Sequence, residues 1–333
     1  MAKSRSERVT RFEVVSAALS AMDDAALRSL VVDAQPLRTG IGGETALTEV
    51  AGHRVFIKKI PLTDLELLPA NVDSTANLFD LPTHYHYGIG SAGFGAWREL
   101  AVHSMTTRWV LDGAHHAFPL TFHHRILTGT SILPTPETDA EKRREDIDWF
   151  VEHWDGSPQV RARLEAIDQA PARAAVFLEY IPWTLGAWLD SELAAGTDLN
   201  RVASALADGV AFMGSQGLAH FDAHRANMLT DGSDFYFADF GLALSNRFEL
   251  TPAESAFLAA HADYDWVSAL GEFAAGVRGA DDAGPEALAV ARRYEPAADL
   301  LSGYLRALIG GPKTLAYPRA EFRAARDAGS ATP

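Results

Sequence analysis

The sequence predicts an α+β fold in which strands gather ahead of residue 180 and helices follow it. Short runs rich in Val, Ile, Phe and Leu at 54–60, 119–127 and 174–182 read as strands. Residues 198–216 place Val202, Leu206, Val210 and Met213 on one helical face, and residues 285–309 are helical again. At 333 residues the chain is long enough for two lobes or domains with substantial cores.

Composition narrows the partners. Apolar residues make up 47% and charged residues 22%, as in folded soluble proteins. The formal charge of −15 argues against nucleic-acid phosphate as a main partner and is compatible with a cationic substrate. Cysteine is absent, so neither disulfides nor thiol chemistry enter. The charged N-terminus leads into no apolar h-region, and no stretch approaches the ~20 apolar residues needed to span a bilayer. A cytoplasmic enzyme, without membrane or nucleic-acid partners, is the expectation.

In chain order, residues 13–32 read as a helix through Val14, Ala18, Met22 and Leu30. A glycine cluster at Gly40, Gly42 and Gly43 precedes a hairpin turning at Ala51-Gly52-His53, whose second strand, Arg54–Ile60, carries Lys58 and Lys59. On a strand these lysines point to opposite faces, so only one can enter a given cleft. Residues 61–95 form a long connection with a glycine-rich stretch at 88–93; His84 and His86 within it read as solvated or core residues rather than metal ligands. Helical character resumes at Ala96 and includes Glu99. Residues 128–170 read as an insertion, with a capping box at Thr138-x-x-Glu141 and a second helix start at Ser157-Pro158. Helices over 184–195 and 198–216 lead to Gly217, placed to end the second. Short strands at 228–230 and 235–238 flank a turn at Asp231-Gly232. Thr251-x-x-Glu254 is a capping box with proline at the first helical position. Gly310-Gly311-Pro312 breaks the last helix, and residues 329–333 read as loose.

The densest chemistry lies at His220-Phe221-Asp222-Ala223-His224-Arg225-Ala226-Asn227, followed by Asp239-Phe240-Gly241. Two histidines four apart are compatible with zinc, but that leaves Asn227 and Asp239 unexplained and has no thiolate to complete it. The stretch resembles the catalytic loop and metal-binding segment of the protein-kinase-like superfamily. The resemblance extends over roughly residues 36–270 and is most specific at 220–241. It implies a bilobal fold around an ATP cleft. The divisions would be a helical extension at 1–35, a β-rich small lobe at 36–180 containing the 128–170 insertion, a helical large lobe at 181–328 and a tail at 329–333. Asp222 would orient the attacking hydroxyl, Asn227 and Asp239 would bind Mg²⁺, and Gly40, Gly42 and Gly43 would approach the phosphates of ATP. Val55-Phe56-Ile57-Lys58 matches the strand bearing the phosphate-binding lysine, which favours Lys58 over Lys59. Glu99 is its candidate partner, with Glu66 the nearer alternative in a run unsuited to the helix. Leu178 would be the gatekeeper, and Glu179 and Ile181 would offer backbone contacts to adenine. Asp263-Tyr264-Asp265-Trp266 resembles the helix start that ties the catalytic loop's backbone.

Two features point to different subfamilies. Ala238–Ala243 and Leu178-Glu179-Tyr180 look like Ser/Thr protein kinases. His224, two residues after Asp222, and the short segment after Gly241 look like aminoglycoside and choline kinases. The expectation is an ATP-dependent phosphotransferase, with a protein Ser/Thr acceptor ahead of a small-molecule alcohol. A nucleotide-binding pseudokinase scaffold is the non-enzymatic alternative. Leu242–Leu250 offers one hydroxyl, Ser245, and one arginine, Arg247, too little for a phosphorylation switch.

Overall fold

The computed structural model describes residues 5–40, 43–128, 140–192, 197–281 and 283–330. They form an α+β structure with one five-stranded antiparallel sheet and a larger set of helices. The helix expected over 13–32 is two helices, α1 (Arg5–Ser20) and α2 (Asp24–Asp33). Asp23 divides them: its carboxylate accepts from Ala26 N at 2.8 Å, so the chain restarts there with an N-cap.

Strands β1 (Gln35–Gly40), β2 (Gly43–Val50) and β3 (His53–Leu62) follow in succession. Ala51 and Gly52, both at positive φ, make the tight turn into β3. A short α3 (Asp64–Leu67), α4 (Ala96–Leu111), β4 (Thr121–Thr128), α5 (Ala140–His153), α6 (Pro158–Asp168) and β5 (Ala172–Glu179) complete the first half. The sheet order is β1-β2-β3-β5-β4, so the strand carrying both lysines is central. Lys58 pairs across to Val176 and Phe56 to Leu178. Lys59, on the opposite face from Lys58, meets Glu44 at 2.6 Å. Ser157 caps α6 as its Ser-Pro start predicts, while the Thr138-x-x-Glu141 expectation lies outside the described residues.

The second half is helical around two small ladders. It comprises β6 (Trp183–Thr184), α7 (Leu185–Glu192), α8 (Leu199–Ser215), β7 (Leu218–Ala219), β8 (Met228–Thr230), β9 (Phe235–Phe237) and β10 (Leu244–Ser245). These are followed by α9 (Pro252–Ala260), α10 (Tyr264–Gly279), α11 (Pro285–Gly310) and α12 (Arg319–Ser330). The β8–β9 hairpin pairs with β6, and β10 pairs with β7. Helix α10 is buried along most of its length and forms the axis of this half. At Gly271 the missing Cβ lets the backbone of Ala297 and Ala298 on α11 come close.

The tail departs from expectation. Residues 329 and 330 belong to α12, whose Phe322 is fully buried, and Gly329 O accepts from Arg293 Nε at 2.8 Å. No described helix is long and apolar enough to cross a membrane.

Buried ion pairs join distant segments. Arg98 on α4 reaches Glu254 of α9 at 2.7 Å, and Glu254 also closes the Thr251 capping box. Arg8 on α1 meets Glu179 at the end of β5 at 2.6 Å and donates to the carbonyls of His116 and Phe118. Removing one partner of such a pair strands the other's charge. Arg8→Met is therefore expected to lower unfolding free energy by about 3–5 kcal/mol. Arg11, 3.2 Å from Glu179, shifts the loss toward the lower figure. Urea titration measures it, and a change under 1 kcal/mol would mean that the pair adds nothing to stability.

Candidate active site

Lys58, Glu99, Asp222 and Asp239 converge on one cavity of about 110 Å³. Lys58 Nζ lies 2.6 Å from Glu99 Oε1 and 2.7 Å from Asp239 Oδ1. Burial alone would lower the Lys58 ammonium, but the Asp239 and Glu99 carboxylates outweigh it and hold it above its ordinary value. Enclosure disfavours the charge on Asp239 too, yet Lys58 beside it holds that carboxyl down at about 2. Both groups are charged at neutral pH. Glu66, the sequence alternative to Glu99, instead accepts from Thr63 and Ala96 N and pairs with Arg163.

The loop bearing Asp222 is set from below by α10. Asp265 accepts from His220 N at 2.6 Å and from Phe221 N at 2.8 Å, which supports the left-handed φ of 61° at Phe221. Asp239 also has positive φ, 63°. His220 ties the two segments: its Nε2 donates to Ala238 O at 3.0 Å, while its Nδ1 accepts from Asp222 N. That pattern requires the neutral ring, and burial draws its pKa to about 4.

Asn227 Nδ2 donates to Asp222 Oδ2 at 2.9 Å and to Asp222 O at 3.1 Å. This turns the amide oxygen away from Asp222, leaving it available to a cation. Asp222 itself is held well above its ordinary pKa, first by burial and then by Asp239, with Asn227 opposing. His224 Nε2 lies 3.7 Å from Asp222 Oδ1, and burial lowers its pKa, so it presents a neutral imidazole there. Asn227 and Asp239 supply hard oxygen donors of the kind Mg²⁺ takes alongside phosphate and water. Among the described residues no group of three or more His, Cys, Asp or Glu is arranged to hold a metal, and Mg²⁺ held mainly by substrate oxygens requires none.

Other expected residues stand apart from this cavity. Gly40 and Gly43 pair across the β1–β2 hairpin; Gly42 lies outside the described residues. Gly43 is pressed so closely on β3 that a Cβ would fall 2.2 Å from Lys59 O. Leu178 and Ile181 are buried near the end of β5. At Glu179 the carboxylate is engaged by Arg8 and Arg11, and the N–H donates to Leu120 O at 2.7 Å. Neither group is free for a ligand.

The 61–95 connection contributes more than its sequence indicates. His86 Nδ1 donates to Leu242 O at 2.8 Å, and Phe94 N to Gly241 O at 3.3 Å. Tyr87 OH bonds His261 Nε2 at 2.6 Å. Held this way, the strap lays Gly88 against Asp222: a Cβ there would fall 1.9 Å from Oδ1. Beyond Gly88 opens a pocket of about 630 Å³, walled by Asp190, Asp222, His224, Arg225, Tyr264 and Glu272. The glycines at 88, 90, 93 and 95 were the available signal. Three recur at positive φ, where a side chain is strained.

Ser245 is fully buried in the β10–β7 ladder, where a phosphate has no room. No protein-family model matches the chain, and no curated protein matches it.

Asp265→Ala should destabilise by about 1–3 kcal/mol for each of the two buried N–H groups left unpaired. Asp265→Asn, keeping one acceptor, should lose less. Chemical denaturation of both variants checks this; equal stability of wild type and Asp265→Ala would remove Asp265 as the support of the loop.

Proposed function

We propose that this protein is a phosphotransferase of protein-kinase-like, bilobal design that moves the γ-phosphoryl group of Mg²⁺–ATP to an alcohol. The observation that carries this reading is the convergence of Lys58, Glu99, Asp222 and Asp239 from four separated segments, with Asn227 bonded to Asp222. A scaffold has no use for that set.

In this reading Lys58, oriented by Glu99, holds α- and β-phosphate oxygens of the nucleotide. Asp222 accepts a hydrogen bond from the acceptor hydroxyl and aims its oxygen at the γ-phosphorus. The acceptor O–P bond forms as the bond from phosphorus to the β–γ bridging oxygen breaks, and that electron pair leaves with ADP. The acceptor proton passes to Asp222, whose raised pKa suits it to receive one. Asn227 Oδ1 and Asp239 would hold Mg²⁺, which when bound neutralises charge on the phosphate oxygens. His224 lies beside the base without adding a charge.

The sequence favours a protein Ser/Thr acceptor. A second reading, a compact alcohol, is favoured by Gly88, which packs closely against Asp222. The adjoining pocket of about 630 Å³ supports it, with Asp190 on its wall to receive a cation while Glu272 is paired with Arg225 at 3.2 Å. Incubation with γ-labelled ATP, a cell lysate and a panel of amino alcohols and aminoglycosides separates the two by what carries label. Label on none of them, with purified active-site-intact protein, would count against phosphotransfer.

Asp239→Asn should abolish turnover and most of the thermal stabilisation by Mg²⁺–ATP. Equal stabilisation of wild type and variant would remove Asp239 as a ligand. Asp222→Ala should retain nucleotide affinity and lose on the order of 10²–10⁴ in kcat. Normal turnover by that variant would sink the assignment of Asp222.

A further inference from the structure

The cavity around Lys58 has a second cation, supplied by the inserted segment. Arg163, on α6, is 1% exposed and lines this cavity with Ser91, Gly93 and Gly95. Its Nη1 donates to Glu66 Oε2 at 2.9 Å, and its guanidinium sits 5.0 Å from the centre of the Phe79 ring. Its Nε has no hydrogen-bond partner among the described residues. Glu66 does not satisfy it further, because its oxygens also accept from Thr63 N, Thr63 Oγ1 and Ala96 N. A buried guanidinium with an unused donor is unfavourable unless another acceptor meets it.

The surroundings are mixed: Glu99, Asp222 and Asp239 share the cavity, so a phosphate there depends on Lys58, Arg163 and bound Mg²⁺ to offset its charge. Gly95 caps the N-terminus of the 16-residue α4 on the same chamber, where Glu66 already takes the first N–H, that of Ala96. Gly93 approaches Gly241 so closely that a Cβ would fall 3.0 Å from its carbonyl oxygen, so the cavity wall there is bare backbone. Lys58 is already shared between two carboxylates and has little charge left uncompensated for a terminal phosphate.

We propose that Arg163 is a phosphate-binding residue. It would receive the terminal phosphoryl group of the nucleotide within the cavity it shares with Lys58, through the planar fork that suits phosphate oxygens. This rests on the phosphotransfer reading above. It gives the inserted helix a place in the chemistry, and it makes Arg163 a determinant of preference for a nucleoside triphosphate over a diphosphate.

The test is calorimetric titration of Mg²⁺–ATP and Mg²⁺–ADP into wild type, Arg163→Gln and Arg163→Lys, with thermal unfolding of each. Arg163→Gln should weaken ATP binding about ten- to a hundredfold, the range for a lost hydrogen bond to a charged group, and change ADP binding less than about twofold. Arg163→Lys keeps a cation beside Glu66 and should fall between, which retains a readout if the glutamine variant fails to fold. A purely structural arginine would lower the unfolding temperature and weaken both nucleotides together. Equal losses for ATP and ADP, or an unchanged ratio in both variants, would overturn the assignment of Arg163 while leaving phosphotransfer standing. Wild-type protein that binds neither nucleotide would overturn the phosphotransfer reading and this inference with it.

Discussion

The contact on which the site depends is the ammonium of Lys58 held between Glu99 and Asp239. One atom thereby fixes the central strand, helix α4 and the loop after β9 relative to each other. Helix α4 is anchored independently at its start, where Glu66 takes the first N–H, and on its flank, where Arg98 meets Glu254. Those anchors matter because a buried ammonium is tolerable only while its carboxylates stay in place. Loss of either would free Glu99 to move and leave Lys58 partly unpaired where it is buried.

Two aspartates on that cavity are driven in opposite directions. Asp239 is held acidic by the cation beside it, whereas Asp222, bonded to a neutral amide and facing Asp239, is pushed toward the protonated form. The side chains are identical, and their neighbours make the difference. Carboxylates separated this way are suited to different tasks, one as a permanent anion and the other as a proton acceptor.

What the sequence reveals follows the range of each signal. The Thr251–Glu254 cap, the β8–β9 hairpin and the loop spacing of Asp222 and Asn227 are local, so residue order nearly specifies them. The facing of Lys58 against Lys59 follows from strand alternation once the strand is identified. Asp23 carried a cap signal, but the apolar positions on either side of it mimic one continuous helix. The roles of Arg8 and Arg163 were not legible, and Gly88 showed only as part of a glycine-rich stretch. Each acquires meaning from a residue far along the chain: Glu179 for the first, Glu66 and the Lys58 cavity for the second, Asp222 for the third. Composition assigns such residues to surface or linker, and only tertiary packing changes that. Helix α12 was missed because nothing after the Gly310-Gly311-Pro312 break was read as a helix, although Phe322 lies in the core.

The contact between Gly88 and Asp222 also constrains how this chain can vary. With the strap pinned by His86, Tyr87 and Phe94, any β-carbon at 88 collides with the carboxylate at 222. A substitution at 88 requires the carboxylate at 222 to turn aside or to shorten, and either change disturbs the acid that Asn227 holds in place. The two positions are therefore coupled: change at the strap disturbs the aspartate while it is kept and is freer once it is lost. A descendant with a bulky residue at 88 would be expected to hold the acid at 222 in a different orientation or to have lost it.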